Sequence, residues 1–175
     1  MPLDIGILGS GQQALRAAGA VRAVPSLTLA GIWSRDSGRA NEAAKAAGTG
    51  VLKGPDDERI RAVFIAAESH RHAELGMAAA NAGKHVLVEK PIDVSCERAE
   101  ALIRACRERK VLLSVVAQKR FSPRFLRVKQ VLEGGLLGRL LSASVLVRAH
   151  RPQEYFRGGR GWRGESSRSG RPGAR

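Results

Sequence analysis

The chain has 175 residues, 43 % of them hydrophobic and only 4 % aromatic, with a formal net charge of +14. That length fits one complete domain plus a remainder, and the aliphatic content excludes a chain disordered throughout. The charge invites a nucleic-acid reading, yet it is lopsided: residues 1–118 hold 16 Lys or Arg against 13 Asp or Glu, a surplus of +3, and residues 119–175 carry the other +11. No stretch approaches the roughly 18 apolar residues of a membrane span, and the N-terminal apolar run is too short for a signal peptide, so a cytoplasmic protein without membrane partners is expected.

Leu3 to Leu8 reads as a fully buried strand, followed by a glycine-rich turn and a helix with Leu15, Ala18, Val21 and Val24 on one face, stopped by Pro25. Leu27 to Trp33 is a second apolar run, and Ser37 precedes an Ala-rich helix ending at Gly48. Between Thr49 and Arg61 only Val51-Leu52 offers a short strand, beside the turn Gly54-Pro55-Asp56-Asp57, which predicts an abbreviated third unit. Ala62 to Ala66 resumes as a strand, Leu75, Ala78, Ala79 and Ala82 give a helical face before Gly83, and His85 to Val88 is the fifth strand. Ser95 can cap a helix striped by Ala99, Leu102, Ile103 and Cys106, and Val111 to Val116 closes the alternation. Ten residues of that helix separate Cys96 from Cys106 by roughly 15 Å, beyond disulfide reach. Strands alternating with crossover helices predict an α/β fold, a Rossmann-type doubly wound parallel sheet complete within residues 1–118, with its ligand at the carboxyl ends of the strands.

Beyond it, Ser122-Pro123 starts a helix striped by Phe121, Phe125, Val128 and Leu132, ending at Gly134-Gly135. Leu140 to Ala149 reads as a long strand, and from Gly158 the chain is Gly, Arg, Ser and Pro without periodicity, expected to be disordered.

The motif with the clearest chemistry is Gly9-Ser10-Gly11-Gln12-Gln13-Ala14, which follows a strand and opens a helix. In a dinucleotide-binding turn Gly9 permits the tight bend, Gly11 admits the pyrophosphate close to the backbone, and Ala14 lets the helix approach the sheet, with the helix N-terminus offering N–H groups to phosphate. The second strand ends in Ser34-Arg35-Asp36 with no carboxylate directly at its end; a hydroxyl and a guanidinium suit a 2′-phosphate, favouring NADP over NAD. The alternative leaves Arg35 in solvent and gives the ribose to Asp36. Glu89-Lys90-Pro91 stands at the end of the fifth strand, where Lys90 can hydrogen-bond a substrate oxygen and share its proton, with Glu89 tuning the charge; taken alone, such a pair is more often a solvated surface pair.

Taken together, the Gly9 turn, Ala66-Ala67 before His72, Gly83-Lys84-His85-Val86, Glu89-Lys90-Pro91 and Gln118-Lys119-Arg120-Phe121 resemble the Gfo/Idh/MocA oxidoreductases, from about Leu3 to Gly164. The resemblance implies an NAD(P)-dependent enzyme transferring hydride between the nicotinamide and a sugar- or polyol-like hydroxyl or carbonyl, and it implies no metal. It makes Lys90 the catalytic residue and puts Gly9, Ser10, Gly11, Gln12, Gln13, Ser34, Arg35, Ala67, His72, Glu89, Lys90 and Pro91 at the cofactor. His72 matches a histidine usual near the cofactor, although a lone histidine at a helix start is more often a local hydrogen-bonding group than a catalyst. Ala67, Glu68 and Ser69 replace a turn that is commonly Thr-Pro-Asn.

The family continues into a mixed-sheet substrate domain carrying an aspartate and a histidine on one helix, and it tends to associate into homo-oligomers through that sheet. Residues 119–164 are expected to be the first helix and strand of this α+β domain, incomplete here, and residues 165–175 a divergent disordered tail. The general acid/base histidine then has no counterpart, His150 being too early in the chain. Two other readings compete: a dinucleotide-binding sensor without catalysis, and nucleic-acid binding by the segment Arg157 to Gly164, with Tyr155, Phe156 and Trp162 stacking on bases.

Overall fold

The computed structural model describes residues 1–157 and Glu165. Five strands form one parallel sheet: β1 (Leu3–Leu8), β2 (Leu27–Trp33), β3 (Ala62–Ile65), β4 (His85–Val88) and β5 (Leu113–Val115), in the spatial order β2-β1-β3-β4-β5. The helices are α1 (Gln12–Arg22), α2 (Ser37–Ala46), α3 (His72–Asn81), α4 (Cys96–Glu108), α5 (Pro123–Glu133) and the short α6 (Gln153–Arg157).

The abbreviated third unit is a single parallel bridge, Val51 to Ile32, on the outer side of β2. Counting it, the order is that of a Rossmann sheet with two strand-helix series wound outward in opposite directions from β1 and β3. Both faces of the sheet are covered, and successive strand side chains alternate between them. Ile5, Ile7 and Phe64 face one side and pack with Ala14, Ala17 and Ala18 of α1 and Ala43 and Ala44 of α2. Leu8, Val63, Ile65 and Val88 face the other, against Ala79 and Ala80 of α3 and Leu102 and Cys106 of α4. Small alanines on α1 to α3 let the helices lie close to the sheet, so an almost non-aromatic core still fills both layers.

The caps refine the expected boundaries. Ser95 caps α4, its Oγ accepting from the Arg98 N–H at 3.3 Å. α2 starts one residue earlier than Ser37 suggests, because Asp36 is its cap, accepting from the Arg39 N–H at 3.1 Å. α5 forms as expected with Pro123 in its first turn, but the Ser122 side chain makes no capping bond.

The long strand expected over Leu140 to Ala149 is not formed: these residues take no regular structure, and Val145 is 85 % exposed. The apolar pattern is present, but a strand exists only where a neighbour takes up its N–H and C=O groups, and none of the described residues offers one. The expectations for residues 158–164 and 166–175 fall outside the described residues. No helix among the described residues is long and apolar enough to cross a membrane.

Candidate active site

Four strands end around one cleft of about 690 Å³, at the point where the strand order reverses between β1 and β3. Every residue expected at the cofactor lines it: Gly9 to Gln13 after β1, Ser34 and Arg35 after β2, Ala67 and His72 after β3, and Glu89, Lys90 and Pro91 after β4.

Gly9 has φ +141°, and its N–H donates to the Trp33 carbonyl at 2.8 Å. A side chain there would overlap the carbonyl oxygen of Ala66, so this turn threads between β2 and β3 only as glycine. Gly11 is different: a Cβ built on it meets nothing within 4 Å. Its backbone borders open space at the start of α1, where no side chain caps the helix and no acidic residue occupies the first turn. Unpaired N–H groups, the positive end of the helix dipole and an open approach make a cradle for a pyrophosphate. Ala14, fully buried, completes the motif by holding α1 against the sheet.

Hydrogen bonds then tie the strand ends together. Ser10 Oγ and Ser34 Oγ are 3.1 Å apart, linking the first turn to the second. Gln13 Nε2 donates to Glu89 Oε1 at 3.2 Å, and Glu89 Oε2 accepts from the Lys90 N–H at 3.2 Å, linking the first turn to the fourth strand end. The Lys90-Pro91 peptide is cis. His72, buried, has Nδ1 2.7 Å from the Pro91 carbonyl and Nε2 3.1 Å from the Ala67 carbonyl. A neutral imidazole donates from one nitrogen only; with the N–H on Nδ1, the closer contact, His72 donates to the Pro91 carbonyl and lies against the Ala67 carbonyl, forming the wall of the cleft in a local hydrogen-bonding role.

Charge in the cleft is mixed. Arg16, Arg35, Arg39 and Arg71 line it together with Asp36, Glu68 and Glu89. Arg71 donates to both oxygens of Glu74, at 2.9 and 3.4 Å, and this pairing holds the Glu74 carboxyl below the usual carboxylate range, with the Arg98 and Arg35 charges adding to it. Asp36 Oδ1 serves the α2 cap, so the residue offered as a ribose partner is engaged at its own helix. Among the described residues the Lys90 ammonium makes no hydrogen bond or ion pair, and Lys90 is exposed at the rim.

Sequence reasoning missed Arg16, Arg39, Arg71 and Tyr155 as lining residues. Arg39 stands in the first turn of α2, just beyond Ser34 and Arg35, and a second arginine that close to the end of β2 was a signal the sequence offered. Arg71 and Tyr155 gave none. Tyr155, considered as a base-stacking residue, instead borders this cleft, with Arg151 5.3 Å from its ring centroid and Phe156 edge-on at 5.3 Å.

Comparison with known proteins agrees with this geometry. Residues 3–117 match the GFO_IDH_MocA model, described as an oxidoreductase family with an NAD-binding Rossmann fold. Inositol 2-dehydrogenase 2 of Saccharopolyspora erythraea is 34 % identical over 165 residues, 89 % of this chain and 47 % of that protein. The scyllo-inositol 2-dehydrogenase (NADP(+)) IolW of Bacillus subtilis is 36 % identical over 102 residues, 58 % of this chain and 28 % of its own length. The crystal structure of the WlbA dehydrogenase from Bordetella pertussis in complex with NADH and UDP-GlcNAcA superposes with a TM-score of 0.89 at 28 % identity, covering 97 % of this chain and 54 % of that one. The chain thus spans about half the length of the relatives it matches over most of its own. The family model is of oxidoreductases and these relatives are dehydrogenases, which lends no support to the sensor or nucleic-acid readings. With its match over residues 3–117, its sheet order and its glycine turn, the chain belongs to the Gfo/Idh/MocA family of NAD-binding oxidoreductases.

Proposed function

We propose that this chain carries the cofactor half of an NAD(P)-dependent oxidoreductase that acts on a hydroxyl or carbonyl of a small sugar- or polyol-like molecule. The observation that carries the reading is the junction of an open glycine cradle at Gly11 with a lysine at the next strand end but one, joined through the hydrogen bond from Gln13 to Glu89.

In this reading the N–H groups opening α1 hold the pyrophosphate, and Ser34 and Arg35, with Arg39 in the first turn of α2, receive the adenosine ribose and a 2′-phosphate. That makes NADP(H) the favoured cofactor. Bound there, the nicotinamide supplies or accepts the hydride. Lys90 hydrogen-bonds the substrate oxygen and shares its proton as the C–O bond order changes, while Glu89, beside it, keeps the local charge near balance. The names of two relatives, inositol dehydrogenases, support a polyol as substrate class. Homo-oligomer formation and cytoplasmic location belong to the same reading, as do a cofactor domain at 1–118 and the beginning of a substrate domain at 119–164.

The test is thermal stability of the purified chain with NADPH, NADH or neither, since a ligand that binds the native state raises the midpoint by mass action. A larger rise with NADPH than with NADH is expected. Arg35→Ala together with Arg39→Ala should abolish that difference by weakening NADPH about tenfold, roughly 1.4 kcal/mol, and leaving NADH nearly unchanged. No rise with either cofactor would overturn the reading.

A further inference from the structure

α3 begins without a cap of its own. The residue at its N-cap is Arg71, which lies in the right-handed region and gives no side-chain acceptor to the first turn. Asp, Ser, Thr or Asn at that position would satisfy a free N–H group and stabilise the helix by about 1 kcal/mol.

The acceptor comes from another part of the chain. Asp93 Oδ2 accepts from the N–H of Ala73, the second residue of α3, at 3.0 Å. Its other oxygen accepts from the N–H groups of Val94 at 2.8 Å and Ser95 at 3.4 Å, and lies 3.3 Å from Nε of Arg98 on α4. The Asp93 side chain is wholly buried. A buried carboxylate is tolerable only when its oxygens are saturated and its charge is faced by a cation, and both conditions are met at this one location of the loop. Displacing the loop would strand the charge.

Lys90 is three residues upstream. Between them, the Pro91 carbonyl is held by His72, the first residue of α3, so the strap after Lys90 is fastened twice to the start of the same helix. Arg98 reinforces the arrangement by donating to the His70 carbonyl at 2.7 Å while it faces Asp93. On the other side, Glu89 is held by Gln13. The lysine itself is exposed and its ammonium makes no hydrogen bond or ion pair among the described residues, so its position at the rim derives from what anchors the backbone around it, the Glu89 carboxylate on the Lys90 N–H included.

We propose that Asp93 is a positioning residue for Lys90: by capping α3 in place of Arg71, it fixes the loop after β4 and hence the point at which the Lys90 ammonium meets the cleft. This rests on the reading of Lys90 given above. Asp93 touches neither cofactor nor substrate in this assignment and acts only through the loop.

The experiment is site-resolved acetylation of the full chain, read by mass spectrometry as the ratio of Lys90 to Lys45, with and without NADPH at about ten times the dissociation constant measured for each variant. In the unaltered chain, NADPH should slow acetylation of Lys90 relative to Lys45 by about tenfold. In Asp93→Ala this protection should fall below about twofold at matched occupancy, because the lysine no longer stays at the cleft. Asp93→Asn, which retains an acceptor for the Ala73 N–H but loses the charge that faces Arg98, should fall between them; it also serves if the alanine variant does not fold. A purely structural role would lower the melting midpoint and leave the ratio untouched. Full protection in a folded Asp93 variant, with Lys90 protected in the unaltered chain, overturns the proposal alone. Absence of protection in the unaltered chain overturns the reading of Lys90 and the proposal with it.

Discussion

Residues 3–117 and residues 119–157 are comparably rich in Leu, Val, Ala and Phe, but their apolar side chains meet opposite fates. Ile7, Ile65 and Leu102 are completely buried between sheet and helices, whereas Leu141 is 82 % exposed and the Phe125, Val128 and Leu132 stripe of α5 faces outward. The difference is not hydrophobicity but closure. In the first region each strand has a neighbour in register and each helix has a sheet face to cover; in the second, an amphipathic helix and an apolar run stand without a second layer. Charge follows the same division, near balance in the first region and strongly positive in the second.

The comparison breaks if truncation of side chains costs the same in both. Leu102→Ala should destabilise the fold by about 2 to 5 kcal/mol by opening a cavity under α3 and α4, while Leu141→Ala should change chemical-denaturation stability by less than about 0.5 kcal/mol. Equal losses would mean that residues 119–157 are packed in solution. Next in size is Gly9→Ala, whose methyl group would press on the Ala66 carbonyl in a backbone region costly for L residues. A loss of about 2 kcal/mol is expected, with the NADPH-induced rise in melting midpoint abolished. Gly11→Ala, directed into open space, should spare the fold and weaken only the cofactor.

A smaller effect, confined to the first region, comes from Asp57. Its carboxylate accepts from the Lys53 N–H at 2.9 Å and from the Arg59 side chain at 2.7 and 2.9 Å, and this pairing holds it well below the usual carboxylate range. A carboxyl depressed in the folded state contributes stability above its unfolded value, near 3.9, and loses that contribution as pH falls further. The melting midpoint should therefore drop as pH is lowered from about 5 to 2, and Asp57→Asn should flatten that part of the profile while lowering stability at neutral pH by about 1 kcal/mol.

Much of the first region was legible because its signals are local. A glycine turn between an apolar strand and a helix, alanines at helical spacing and a serine before α4 each specify their own neighbourhood. What was not legible depends on distance through space. The Ser37 expectation missed by one residue because Asp36 and Ser37 are both good caps and only the backbone decides between them. Arg71 and Tyr155 reach the cleft through the crossing of elements far apart in sequence, and Asp93 caps a helix twenty residues before it. The failed strand at 140–149 carried a valid face pattern without the partner that gives such a pattern meaning.

The two free cysteines at opposite ends of α4 have a practical consequence. Cys96 is exposed, whereas Cys106 is buried against the sheet, and burial pushes its thiol up from the ordinary value. One thiol reacts with an alkylating reagent from the outset; the other waits until α4 lifts. The ratio of their labelling rates is a built-in clock for opening of the layer that carries Arg98 and, through it, the anchored loop. Because the reference thiol sits on the same helix, that clock runs without any dye, tag or added residue.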